Sequence, residues 1–229
     1  KEAIKAFDKA LTLKPNYEDA YYNSSFAYNL NGDLLKGLEL YEWRLENKDR
    51  RIKTSKQNFI LKKSKSLKGK KILIYEEQGL GDIIQFCRYL PLLKLKGAEV
   101  IFKVKQNMHK LISTLDNDLV LVDSFPKYSN IDFTVPLLSL PYVFNTSLKT
   151  IPSENSYLFA DRKKITVWKN TLTKETFKIG ICWQGSKNKI DFGRSFPLSL
   201  FKGISKLSNV ELISLHKGEG EDQIKDINF

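Results

Sequence analysis

Two histidines, two cysteines and a single methionine are all that the 229 residues hold of the side chains most used as nucleophiles, redox couples and soft-metal ligands. His109 and His216 are far apart in sequence, and no serine stands on a recognisable strand-to-helix elbow, so a hydrolase triad or a zinc site has little to build on. Cys87 and Cys182 lie in separate apolar segments without Cys-x-x-Cys or Cys/His spacing, which suggests neither a metal nor a disulfide framework and suits a reducing cytoplasm. No apolar run approaches the roughly 20 residues that a membrane-spanning helix needs. The chain opens on a charged amphipathic helix, not on the basic start and apolar core of a signal peptide, and has no initiator Met, so it is expected to be a piece of a longer protein whose own start lies upstream.

What is plentiful is lysine. The formal net charge is +12, but Lys far outnumbers Arg and is spread along most of the chain, the pattern of a solvated surface rather than a nucleic-acid footprint. Aromatic residues are not clustered along a basic face, which also counts against a nucleic-acid partner.

The organisation changes along the chain. Ala3, Phe7 and Ala10 recur as Gly37, Tyr41 and Arg44 at an offset of 34, the period of tetratricopeptide repeats. Pro15 ends one helix, Tyr21, Ser25 and Tyr28 share a face of the next, and Asn31-Gly32-Asp33 is a turn. Residues 1–46 therefore predict tetratricopeptide-like helical hairpins, and residues 47–70 a basic linker. Strands and helices then alternate: strands near 71–75, 100–104, 119–122 and 131–135, with helices over about 82–94 and 108–115 between them. That rhythm predicts a first Rossmann-like parallel sheet over 71–150. After a connector at 151–176 it restarts, with strands near 178–183 and 210–215 and a helix over about 198–207, as the start of a second Rossmann-like domain over 177–229. The expected fold class is α/β.

Two loops at strand ends carry candidate chemistry. Glu76-Glu77-Gln78-Gly79-Leu80-Gly81-Asp82 passes from strand to helix, the crevice in which open α/β sheets bind ligands. Asp is a favoured helix cap, so a structural role for Asp82 stands beside the functional one. A dinucleotide fingerprint would need a third Gly where Ile84 stands and an acidic residue where Val104 and Lys105 are found, and no phosphate-binding Gly-Lys-Ser/Thr occurs. The second loop is Trp183-Gln184-Gly185-Ser186-Lys187 with Asp191, Arg194 and Ser195. Arg194 offers a rigid donor fork matched to phosphate.

The segment "EEQGLGDIIQFCRYLPLLKLKGAEV" resembles the opening of the catalytic part of bacterial tetratricopeptide-linked glycosyltransferases related to the lipopolysaccharide heptosyltransferases. "YEWRLE", "DFTVPLLSLPYVF", "IPSENSYLFAD" and "KIGICWQGSKNKIDFGRSFPLSLF" are similar to that family in the same order, so the resemblance touches nearly the whole chain. It implies a GT-B architecture, truncated at both ends here, with an acceptor on the first domain and a nucleotide sugar on the second. By the same resemblance Asp82 is the general base for an acceptor hydroxyl, and Gly79, Gly81, Gln85 and Arg88 line the acceptor side. Gln184, Gly185, Lys187, Arg194 and Ser195 hold the diphosphate, and His216 departs from the Gln expected at its position. The implied reaction inverts the anomeric centre, uses no cofactor and, with no Asp-x-Asp pair to hold one against the diphosphate, no metal. Expected partners are a nucleotide-sugar donor, a protein or glycan acceptor, and a protein held by the helical repeats; the chain as given is expected to be inactive alone. A non-catalytic scaffold with helical repeats is the alternative.

Overall fold

In the computed structural model, residues 1–46, 61–62, 66–116, 118–126, 130–153, 156–172, 175–185 and 193–227 are described. They form two compact units, residues 1–160 and 161–229. The α/β class is as the sequence predicts: N-terminal helices, an all-parallel four-stranded sheet with interleaved helices, and a small second parallel sheet.

The first unit begins with helices α1 (Glu2–Leu13), α2 (Glu18–Leu30) and α3 (Leu34–Tyr41), each packed on the one before. Asp33 caps α3 by accepting the Lys36 N–H at 3.2 Å, and Gly32 turns the chain with φ +86. At Gly37 a Cβ would lie 2.0 Å from Asn29 Oδ1. The close approach of α2 and α3 thus depends on a missing side chain. The end of α3 tightens into a 3-10 turn, Glu42–Leu45, that buries Arg44 and Leu45.

Strands β1 (Lys71–Tyr75), β2 (Glu99–Lys103), β3 (Val120–Val122) and β4 (Phe133–Pro136) lie in the order β3-β2-β1-β4. Ile72, Leu73, Ile74 and Tyr75 are all buried, as expected of a central parallel strand covered on both faces. Helices α4 (Leu80–Phe86), α5 (Leu90–Leu95) and α6 (Gln106–Ile112) connect them, and a short helix α7 (Leu140–Val143) follows β4. Where the sequence suggests one helix over 82–94, the chain makes two, joined by a 3-10 turn at Cys87–Tyr89. Pro91 sits in the first turn of α5, where its missing N–H has no bond to lose. Of the expected basic linker, residues 47–60 and 63–65 lie outside the described residues, while Leu61 and Leu67 are buried in the core of this unit.

The second unit holds α8 (Arg162–Thr171), the strand β5 (Phe177–Ile181), a 3-10 turn Leu198–Phe201 running into α9 (Lys202–Ser205), and β6 (Val210–Ser214), which pairs in parallel with β5. Asp161 caps α8 from the Lys163 and Lys164 N–H groups. A small core gathers Ile181, Trp183 and Leu198. Among the described residues no helix is long and apolar enough to cross a membrane.

Lys94 Nζ lies 2.6 Å from Asp116 Oδ2, and this hydrogen bond, with that from the Asp118 N–H, holds the Asp116 carboxyl below the usual carboxylate range despite some burial. A depressed carboxyl contributes stability above its unfolded pKa and loses it as pH falls through the folded one. Asp116→Asn should therefore lower stability by about 0.5 kcal/mol at neutral pH, in the range of partly exposed pairs. In urea unfolding at about pH 3, below the ordinary Asp value, the difference from the parent should shrink towards zero.

Candidate functional site

The order of the strands reverses at β1: the chain steps outward through β2 and β3, then returns to β1's other side as β4. The carboxyl end of β1 is thus the switch point of the sheet, where side chains from neighbouring loops diverge and leave a crevice. Residues 76–82 occupy it.

Their first three members are anchors. Glu76 accepts from Lys103 Nζ at 3.1 Å and from the Lys105 N–H at 3.0 Å, tying the end of β1 to that of β2. Glu77 takes the Arg44 guanidinium with both oxygens, at 2.6 Å from Nη2 and 3.1 Å from Nε. Arg44 also donates to Glu42 at 2.9 Å, to the Tyr41 carbonyl at 3.2 Å and to Ser139 Oγ at 2.8 Å. Burial alone would push this guanidinium down; the Glu42 and Glu77 carboxylates more than offset it and hold Arg44 charged. Gln78 Nε2 donates to the Tyr41 hydroxyl at 2.6 Å, and burial raises the Tyr41 phenol.

Beyond these anchors the loop opens. Gly79 is the N-cap of α4, with an ordinary φ of −76. Its N–H donates to Asp82 Oδ2 at 3.0 Å, and a Cβ there would sit 3.4 Å from that oxygen. A Cβ on Gly81 would meet nothing within 4 Å. A side chain at Gly79 would thus only touch the carboxylate at ordinary contact distance, whereas one at Gly81 would face open space. Asp82 Oδ1 has no hydrogen bond among the described residues.

Gln85 and Arg88 line a cavity of about 300 Å³ with Asn29, Leu38, Phe86 and Thr146. Arg88 is committed elsewhere: it donates to the Pro152 carbonyl at 3.0 Å and the Tyr157 hydroxyl at 2.7 Å, and its guanidinium lies over the Tyr157 ring. Tyr157 donates in turn to the Ile84 carbonyl. This arrangement fastens Pro152 and Tyr157 to α4 and the 3-10 turn that follows it, a role the sequence does not announce.

At the carboxyl end of β5 the structure gathers Gln184, Gly185, Arg194 and Ser195. The Gly185 N–H donates to Ser195 Oγ at 3.0 Å, and the Phe196 N–H to the Trp183 carbonyl at 3.0 Å. Gly193, with φ +77, supplies the left-handed turn that brings Arg194 and Ser195 back to the strand end. Gln184 Oε1 accepts from Gln223 at 3.1 Å, while its buried Nε2 has no partner among the described residues. Arg194 is exposed. Lys187 lies outside the described residues. Two aspartates at Asp-x-Asp spacing do exist, Asp116 and Asp118, but they precede β3 at the amino edge of the first sheet, and Asp116 is held by Lys94. Among the described residues no cluster of His, Cys, Asp and Glu suited to a metal ion occurs.

No family model matches the chain, and no solved structure matches it. The chain is similar to Protein FlbA of Caulobacter vibrioides. The two are 20% identical over 280 residues, covering 97% of this chain and 47% of FlbA. The chain thus spans about half the length of this curated relative, and the likeness runs through both units rather than the helices alone.

Sequence reasoning singled out Asp82 but not Arg44, although an Arg flanked by Tyr41, Trp43 and Leu45 was a visible signal. Arg44→Met should destabilise the protein by about 3–5 kcal/mol, because the buried Glu77 carboxylate loses both of its bonds to the guanidinium. Arg44→Met with Glu77→Met should recover a large part of that loss. Chemical denaturation of the two variants and the parent checks both values.

Proposed function

We propose that this chain is part of a glycosyltransferase of GT-B type, which moves a sugar from a nucleotide-sugar donor to a protein or glycan acceptor. The observation that carries the proposal is the Asp82 carboxylate: it stands at the switch point of a parallel sheet, one oxygen fixed by Gly79 and the other without a partner among the described residues. The ordered resemblance described above supports the same assignment, and the relation to FlbA supports a shared architecture over both units.

In this mechanism Gly79 and Gly81 let the acceptor approach the backbone, with Gln85 alongside. Asp82 Oδ1 accepts the proton of an acceptor hydroxyl as its oxygen attacks the anomeric carbon. The bond from that carbon to the diphosphate breaks on the opposite face, so the configuration inverts. A nucleoside diphosphate leaves, and Asp82 returns the proton to solvent. Negative charge grows on the departing phosphate oxygens, and Arg194 is the guanidinium suited to meet it. Gln184, Gly185, Lys187 and Ser195 are the further groups for the diphosphate. The helical repeats are the natural surface for a protein acceptor.

A scaffold reading also has an observation in its favour, since Asp82 caps Gly79 as a purely structural Asp would. Asp82→Asn separates the two. The amide oxygen still accepts from the Gly79 N–H, but the base is lost. In the protein carrying this chain in full, release of nucleoside diphosphate from a panel of nucleotide sugars with acceptor should fall by about 10²- to 10⁴-fold. Thermal unfolding should stay unchanged. Turnover equal to the parent's would leave only the scaffold. Arg194→Ala should likewise lower turnover, with Arg194→Lys recovering part of it.

A further inference from the structure

The carboxyl ends of β5 and β6 hold a second pair of reactive groups, 34 residues apart in sequence, that the transferase mechanism does not use. Cys182 follows β5 directly, and His216 lies just beyond β6. Cys182 Sγ is 3.3 Å from His216 Nδ1. His216 Nε2 is 2.7 Å from the Glu219 carbonyl oxygen. A carbonyl only accepts, so Nε2 carries the hydrogen, and in the neutral ring Nδ1 is the bare nitrogen facing the thiol. The ring also stacks on Trp183, with centroids 4.2 Å apart and planes 25° apart. Trp183 is 1% exposed and held by its own bond to the Gly220 carbonyl at 3.1 Å.

Each feature favours the same proton transfer. Once His216 takes the thiol proton, the imidazolium has both N–H groups satisfied, one by the thiolate and one by Glu219, and it rests on an indole face that attracts cations. Cys182 is exposed, whereas Cys87 is buried, and burial pushes the Cys87 thiol up to about 12. The chain thus carries one inert thiol and one placed to react.

We propose that Cys182 and His216 form a base-assisted thiol whose partner is a small disulfide, so that Cys182 is a site of reversible S-thiolation. His216 Nδ1 takes the proton from Sγ, and the thiolate attacks one sulfur of the disulfide. The old S–S bond breaks as the mixed disulfide forms. The departing thiolate takes the proton from His216 and leaves as a thiol, so that the Cys182 sulfur is oxidised and the released sulfur reduced. This inference does not rest on the transferase reading.

The probe is 5,5′-dithiobis(2-nitrobenzoate), applied at neutral pH to the protein carrying this chain in full. The modified cysteine is located by peptide mapping. Cys182 should react about 10-fold or more faster than N-acetylcysteine amide under the same conditions, well within what a positioned base supplies. Cys87 should stay unmodified in the folded protein. His216→Gln keeps an N–H for Glu219 but removes the base, and should slow Cys182 to the free-thiol rate with an unchanged circular dichroism spectrum. A parent rate no faster than the free-thiol standard overturns the proposal even if the variant fails to fold. So does a folded His216→Gln protein that reacts as fast as the parent.

Discussion

One guanidinium sets the geometry of the first unit. The Arg44 side chain is 2% exposed, and a charge so deep costs several kcal/mol unless every donor is met. Every donor is. Nε and Nη2 meet Glu77, Nη2 also meets Ser139, and Nη1 meets Glu42 and the Tyr41 carbonyl. Those partners come from the helical segment, the end of β1 and the turn after β4, so three parts of the chain converge on one planar group. Such pairs add little net stability compared with a well-packed apolar replacement. What this one adds is registration, because sliding the helices along the sheet by an ångström would break two parallel bonds to Glu77 at once.

That registration reaches Asp82 through the backbone. Glu76, Glu77 and Gln78 are each held, the first by β2 and the other two by the helical segment. The chain is therefore nearly fixed when it arrives at Gly79, and the Gly79 N–H then fixes Asp82. A glycine-containing loop at a strand end is ordinarily mobile. Here the mobility is removed on the strand side, and openness is retained only around Gly81. Precision of this kind matters for a base, which must lie within hydrogen-bond reach of the proton it takes.

The sequence made the sheet legible because a central parallel strand is a continuous apolar run, and residues 71–75 read as one without ambiguity. The break at 87–89 was not legible, since residues 82–94 keep a helical pattern and only Pro91 hints at a restart. The position of the 79–82 turn at a strand end was visible, but its place at the switch point was not, because strand order depends on which side of β1 the fourth strand joins. The roles of Arg44 and Arg88 were hidden for a different reason. A charged residue reads as surface by default, and what overrides the default is a partner about 33 residues away for Arg44 and 69 for Arg88, outside any local window.

The pairing of Cys182 with His216 has the same origin, and it shows why strand ends concentrate chemistry. In a parallel pair the residues that follow both strands emerge on one edge, so groups that no local pattern joins become neighbours once β5 and β6 align. The rest depends on how tightly the following loops fold. Gly218 and Gly220, with φ +103 and +96, turn the chain back so that the Glu219 carbonyl reaches His216 and the Gly220 carbonyl reaches Trp183. A Cβ on Gly220 would lie 2.5 Å from Gln184 Oε1. Gly220 therefore sits between the support of the imidazole and the Gln184 side chain, and a change there that moved either one would be felt by the other.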